Sequence, residues 1–176
     1  MPDASMRPNQ PIPGFEGLLH ALGVSIVDSA LTLPFDLRPN AEPIYLAGVG
    51  WATVELDRAE ASLGAELATK FEPTGRDALL GATVRRSTGH SPGLLILEPD
   101  TEGRLSGALA KHGEGPIALY LRLARLQALP GTLSIRAGNG PLGPARLVIS
   151  GDPWGPFLIL VEGAPPDAAD RVPSER

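Results

Sequence analysis

From Ile44 onward the chain carries strand and helix signals in the order β-α-β-β-β, and after a helical linker the same order returns in reduced form. Element order repeats while residues hardly do, which restricts the fold to two like modules built side by side. The first module opens with Val49-Gly-Trp-Ala-Thr-Val-Glu, a strand of period two. Leu56, Ala59, Leu63 and Leu67 follow at helical spacing, and strand patterns cover residues 65–71, 82–87 and 94–98. Residues 103–112 predict a linker helix with Leu105, Leu109 and His112 on one side, stopped by Gly113. Strand 117–123 begins the second module. Residues 125–129 are too short for a full helix before Pro130-Gly131, and strands 132–136, 145–150 and 157–162 complete the unit.

The flanks read differently. Residues 1–13 and 164–176 are Pro-rich and polar, which predicts a disordered arm and tail. Between them and the modules, Phe15, Leu18, Leu19 and Leu22 share one helical face closed by Gly23, and residues 24–28 and 31–37 alternate as two short strands. The expected organisation is an arm and extension over 1–43, a first module over 44–102, a linker over 103–115, a second module over 116–163 and a tail over 164–176.

Composition excludes several function classes. None of the 176 residues is cysteine, so disulfides, thiolate chemistry, Fe–S clusters and Cys-ligated zinc are absent. No apolar run approaches the roughly 20 residues of a membrane span, and no basic segment followed by an apolar run opens the chain. A soluble, cytoplasmic protein with no membrane partner is expected. A net charge of −5, only two lysines (Lys70 and Lys111) and 5% aromatic residues argue against nucleic acid as a partner. Arginine supplies nearly all the positive charge, which together with the many alanines, glycines and prolines reads as a GC-rich bacterial-type coding bias.

Several motifs now line up. Glu98-Pro99, a helix, then His112-Gly113-Glu114-Gly115 before a strand resembles the linker of methylmalonyl-CoA epimerases. Leu56-Asp57-Arg58-Ala59 is similar to that family's first helix start, Leu63-Gly64-Ala65-Glu66 to its helix exit, and Gly151-Asp152-Pro153-Trp154-Gly155 to the turn before its last strand. The resemblance covers residues 44–163 and implies the vicinal oxygen chelate superfamily, which also holds glyoxalase I, bleomycin-resistance proteins and extradiol dioxygenases. It implies an α+β fold of paired β-α-β-β-β modules whose sheet curves around a cup, here with a shortened second helix.

The resemblance also implies a divalent metal held by His, Gln or Glu, one ligand from the first and one from the fourth strand of each module. Here the matching positions are Val49, Leu95, Ile117 and Ile159, none of them a ligand. A shift of one residue, to Gly50 or Ala118, produces no histidine in either first strand. No metal and no cofactor is therefore expected. An apolar floor either receives a hydrophobic small molecule, at about 25 cal/mol per Å² of apolar surface buried, or closes as core.

Alternation along the strands extends the expected lining from Val49 to Trp51, Thr53 and Glu55, from Leu95 to Leu97, from Ile117 to Leu119 and Leu121, and from Ile159 to Phe157 and Val161. Trp51 offers a flat stacking surface, or serves as a core residue. Glu55, at the strand end, is a candidate base, and Arg85 is a candidate carboxylate binder if Val84 faces the helices. Arg86 then faces the other way, and Arg136 has the same standing as Arg85 in the second module. His20, His90 and His112 share no metal-binding spacing. The Gly138-Asn-Gly-Pro-Leu-Gly-Pro stretch lacks the Lys-Ser/Thr of a phosphate cradle and reads as a loop.

Three functions fit these residues. The first is metal-independent binding of a small apolar or aromatic molecule in the cup. The second is a metal-free isomerase, lyase or cyclase acting on a carboxylic acid or acyl-CoA type substrate through Glu55 or Arg85. The third is a degenerate assembly module, since a shortened second helix leaves a sheet face (Ala118, Tyr120, Arg122) to be covered by a homodimer partner or by residues 14–43.

Overall fold

The computed structural model describes residues 14–22, 25–27, 30–32, 44–126, 135–149 and 156–164. Helix α1 (Phe15–Ala21) and a hairpin of β1 (Ser25–Val27) and β2 (Ala30–Thr32) precede the modules. The first module runs β3 (Tyr45–Ala52), α2 (Leu56–Glu66), β4 (Phe71–Asp77), β5 (Ala82–Ser87) and β6 (Gly93–Pro99). Helix α3 (Arg104–His112) links it to β7 (Gly115–Leu123), β8 (Ile135–Gly140), β9 (Gly143–Val148) and β10 (Phe157–Glu162). The eight module strands form one sheet in the order β4-β5-β6-β3-β7-β10-β9-β8.

The repeat is visible in the pairing. In each module the first strand runs parallel to the last, β3 with β6 and β7 with β10, while the two first strands pair antiparallel at the centre. Right-handed twist accumulated over eight strands curls the sheet until its edges meet. There the Ala78 amide, just past β4, donates to the Asn139 carbonyl of β8 at 3.0 Å.

Two apolar layers result. On the outer face Val49, Leu94, Ile96, Leu119, Leu121, Leu158 and Leu160 pack against Leu56, Ala59 and Leu63 of α2 and Leu19 and Leu22 of α1. Each leucine fully buried there contributes about 1.5–3 kcal/mol. On the inner face Ala82, Val84, Leu95, Leu97, Ala118, Tyr120, Leu147 and Ile159 pack against one another. The Leu79-Leu80 turn and Leu105, Ala108 and Leu109 of α3 belong to the same layer. Helix α3 therefore closes the inner face at the end where β6 finishes and β7 begins.

The face expected to need cover is the opposite one. Ala118 and Tyr120 lie inside the curl, whereas Leu119, Leu121 and Leu123 are the outer residues that need a neighbour, and α1 takes part in burying them.

The Gly-Glu-Gly motif acquires a structural explanation. Glu114 Oε1 accepts from the Thr53 hydroxyl (2.8 Å), the Val54 amide (2.8 Å) and Arg58 Nη2 (2.7 Å), pinning the linker to the start of α2. The Val54 amide first, then the Thr53 hydroxyl and Arg58, hold the Glu114 carboxyl below its ordinary range, against some burial. Glu98 Oε1 accepts from the Leu56 amide at the same helix start (3.3 Å).

Some boundaries differ from expectation. Of residues 65–71 only Phe71 is strand, as the start of β4: α2 continues to Glu66, Leu67 still donates to the Leu63 carbonyl, and Ala68 (φ 50°) ends the helix in the left-handed region. The alternation of Leu67, Thr69 and Phe71 reflects a buried turn entering β4. The glycine-rich stretch is a hairpin, with β8 reaching Gly140 and β9 starting at Gly143. Residues 33–37 and 127–134, the Asp152-Pro-Trp-Gly turn, the arm and the tail beyond residue 164 lie outside the described residues.

Candidate functional site

The inner face of the curl is the cup. Six expected lining residues, Leu95, Leu97, Ile117, Phe157, Ile159 and Val161, lie in its apolar layer. Val49, Trp51, Leu119 and Leu121 do not; they belong to the outer layer beneath the helices. Thr53 is wholly buried but engaged with Glu114 and the Glu55 backbone at the strand exit.

The physical reason for these corrections is two β-bulges and a pair of glycines. On β3 the cup side is carried by Gly48 and Gly50, so the large residues Val49 and Trp51 point the other way. A Cβ at Gly50 would stand 2.7 Å from Leu97 Cδ1 and 2.9 Å from Ala118 Cβ; one at Gly48 would stand 2.7 Å from the Gly93 carbonyl oxygen. Only glycine lets the strands and their neighbours approach this closely. Pairing skips Ala47, between Leu46↔Leu121 and Gly48↔Tyr120, and skips Ile117, between Gly50↔Ala118 and Trp51↔Pro116. Each skipped residue joins its neighbour on the inner face, so a count by twos from Ile117 puts Leu119 and Leu121 on the wrong side.

Neither catalytic candidate reaches the cup. Glu55 is exposed at the N-terminus of α2, 3.3 Å from Arg58 Nε. Arg85 lies on the helix side, because Val84 faces inward; it pairs with Asp57 (2.6 Å) and Glu60 of α2, and both carboxylates hold its pKa above the ordinary arginine value. Arg136 is exposed on the edge strand β8, and His20 and His112 are exposed on α1 and α3.

A divalent cation needs imidazole or carboxylate donors. The inner face offers Gly48, Gly50, Leu95, Ala118 and Ile159 where the strands of the two modules meet, which does not fit a metal. Among the described residues no group of three or more His, Asp or Glu is gathered closely enough to hold one.

Polar chemistry inside the curl comes instead from Asp77 and Tyr120. Asp77 is fully buried; its Oδ1 accepts from the Leu79 (2.9 Å) and Leu80 (3.0 Å) amides, and its Oδ2 accepts from the Tyr120 hydroxyl (2.8 Å). Burial raises the Asp77 carboxyl above its ordinary range, opposed by the Tyr120 hydroxyl and the two amides. Burial and the Asp77 charge push the Tyr120 phenol up as well. The pair shapes the turn that brings β4 against β8. Its sequence signal is an Asp opening a turn that ends in Gly81, two residues before which stands the leucine filling the inner face.

At the remaining end of the cup stand two arginines. Arg86 follows Ala82 and Val84 along the inward side of β5, and Arg122 follows Ala118 and Tyr120 along the inward side of β7. Both are half-buried, and the Nε of each is shielded from solvent with no hydrogen-bond partner among the described residues. A buried donor left unpaired costs about 1–3 kcal/mol. Burial first, then the charge of Arg122, lowers the pKa of Arg86.

No family model and no curated protein matches the chain. Solved structures do. Methylmalonyl-CoA epimerase of Mycobacterium tuberculosis superposes with a TM-score of 0.58 at 22% identity over 71% of this chain and 91% of that one. A Streptomyces coelicolor methylmalonyl-CoA epimerase variant, in complex with 2-nitronate-propionyl-CoA, gives 0.56 at 19% identity over 68% and 94%. A hypothetical protein of Bacillus halodurans gives 0.56 at 13% over 70% and 97%. Paired modules, the curled eight-stranded sheet and these superpositions together give the chain the vicinal oxygen chelate fold.

Proposed function

We propose that this protein binds a small molecule with an apolar body at the open end of the sheet cup, and does so without a bound metal. The observation that carries the reading is the inner face itself: where the two modules meet, it presents glycine, alanine, leucine and isoleucine in place of cation ligands. The floor is filled by Leu95, Leu97 and Ile159, so the ligand meets the cup above them, beside Arg86 and Arg122. A reaction needs an acid, base or electrophile at the reacting atoms. Glu55 and Arg85 both lie off the cup face, which favours binding over the isomerase, lyase or cyclase alternative. The acyl-CoA analogue named with the Streptomyces epimerase supports a small organic ligand on this fold without identifying it.

Thermal unfolding with 4-phenylbutan-1-ol, with and without EDTA, tests the reading. At ten times its Kd a ligand adds about 1.4 kcal/mol, a rise of a few degrees in Tm for a chain of this size. The rise should persist in EDTA. A rise that appears only with added Co²⁺ or Zn²⁺, or none at all, contradicts it.

A further inference from the structure

The two arginines at the end of the cup away from α3 differ from Arg58, Arg76 and Arg85. Arg58, Arg76 and Arg85 each meet a carboxylate: Arg58 with Glu114, Arg76 in a two-pronged contact with Asp100, and Arg85 with Asp57 and Glu60. Arg86 and Arg122 form no ion pair or hydrogen bond with any described residue, in a chain of net charge −5 where acids are plentiful. They come from opposite modules, yet both continue inward-facing rows at the same end of the curl, Arg86 opposite Leu95 of β6 and Arg122 opposite Tyr45 of the adjoining β3. Glycines flank both. A Cβ on Gly93 would lie 3.3 Å from Arg86 Nε, and one on Gly163 would lie 3.4 Å from Arg122 Nε. The residue flanking each Nε is thus a glycine, with Ser87 Oγ and the His90 carbonyl also bordering the Gly93 side.

Two like charges held together, each with a shielded donor unpaired, are stabilised by a ligand that supplies negative charge and acceptors at once. We propose that Arg86 and Arg122 jointly seat an oxyanion, so that the ligand is an apolar small molecule carrying a carboxylate or a phosphoryl group. The inference rests on the reading that an apolar molecule enters this end of the cup. It adds an anionic head to that molecule and places the head between the modules. Guanidinium groups suit the task because they stay charged when partly buried and present N–H donors in a fixed fork.

The test compares three ligands with one body: 4-phenylbutyrate, 4-phenylbutyl phosphate and 4-phenylbutan-1-ol, measured by calorimetry on the full chain. At least one anion should bind ten or more times as tightly as the alcohol, and the tighter of the two identifies the head group. Arg86→Gln and Arg122→Gln should each remove that preference, bringing the anion's affinity to within about twofold of the alcohol's in the same variant, and Arg86→Lys should restore part of it. Ligand-free Arg86→Gln and Arg122→Gln should be no less stable than the parent, since each relieves like-charge repulsion. Equal binding of acid and alcohol, or a preference surviving in both Gln variants, overturns the seat and leaves the apolar-binding reading standing. If none of the three binds, the apolar-binding reading falls, and inorganic phosphate decides the seat alone. Stabilisation of the parent but not of Arg86→Gln by millimolar phosphate supports it, and equal response overturns it.

Discussion

The two faces of the sheet solve the same burial problem with different partners. The outer face brings up separate elements, with α2 and α1 laying Leu56, Leu63, Leu19 and Leu22 onto Val49, Leu94, Leu121 and Leu160. The inner face has the curled sheet for its main partner, with the Leu79-Leu80 turn, Leu142 and α3 added among the described residues. A helix can slide or tilt to accommodate a change. A strand paired on both sides cannot, so the inner face needs close fit, and glycine appears at its centre where side chains from the two flanking strands converge. Helix α1 comes from outside both modules, yet it takes part in burying the face that the second module leaves apolar.

The largest expected effect measures that difference in freedom to relax. Leu97→Ala on the inner face should cost about 4–5 kcal/mol, near the top of the range for such truncations. Leu63→Ala on α2 should cost about 2–3 kcal/mol, because the helix can settle inward. Urea unfolding of both variants gives the comparison, and equal losses would break it.

Adding volume probes the same contrast. Gly50→Ala should destabilise by about 1–3 kcal/mol, as its new methyl meets Leu97 and Ala118. Gly50→Ala combined with Leu97→Val should recover part of the loss relative to the sum of the single changes. Simple additivity in the double variant would place Gly50 elsewhere than the inner face.

Asp77 gives the inner face a pH signature. Its folded pKa is raised by burial, so the folded chain holds that proton more firmly than the unfolded chain. The contribution is fully present below the ordinary carboxylate value and is lost as pH rises through the raised one. Relative to Asp77→Asn, the parent should therefore lose stability between pH 4 and neutrality. Denaturant unfolding of both proteins across that range checks the sign, and a parallel pair of profiles would contradict it.

The smallest effect lies at the linker. Glu114 is depressed, so its contribution is present above the ordinary glutamate value and is lost as pH falls through the lowered one. Glu114→Gln should cost under about 1 kcal/mol at neutral pH, because the side chain keeps 29% of its exposure, solvent screens its pairing with Arg58, and the Gln carbonyl can still accept from the Val54 amide and Thr53 hydroxyl. Fluorescence-monitored unfolding at pH 7 and pH 4 should show the difference shrinking in acid.

Much of the fold could be read from residues because the modules repeat their element order and because Leu56, Ala59 and Leu63 mark one helix face. The strand over Ala82–Ser87 and that over Phe157–Glu162 stand where alternation puts them. The cup was less legible for a specific reason. Alternation identifies the face with large apolar side chains, and on β3 those are Val49 and Trp51, which face the helices; the inward positions are glycines, silent in any hydrophobic pattern. Bulges at Ala47 and Ile117 then shift the count by one, information that resides in pairing between distant strands. Arg85 and Arg86 form an inward–outward pair that adjacency reveals, but only the burial of Val84 says which is which. The Asp77–Tyr120 contact joins residues 43 apart and has only its turn half in the local sequence.

Native mass spectrometry of freshly purified full-length chain, with elemental analysis of the same sample, tests the central claim most directly. An apolar inner face predicts a chain free of stoichiometric metal, both as purified and after incubation with Co²⁺ or Zn²⁺ followed by desalting. One equivalent of a divalent metal retained per chain would contradict it, because the described inner face offers such an ion no ligand set.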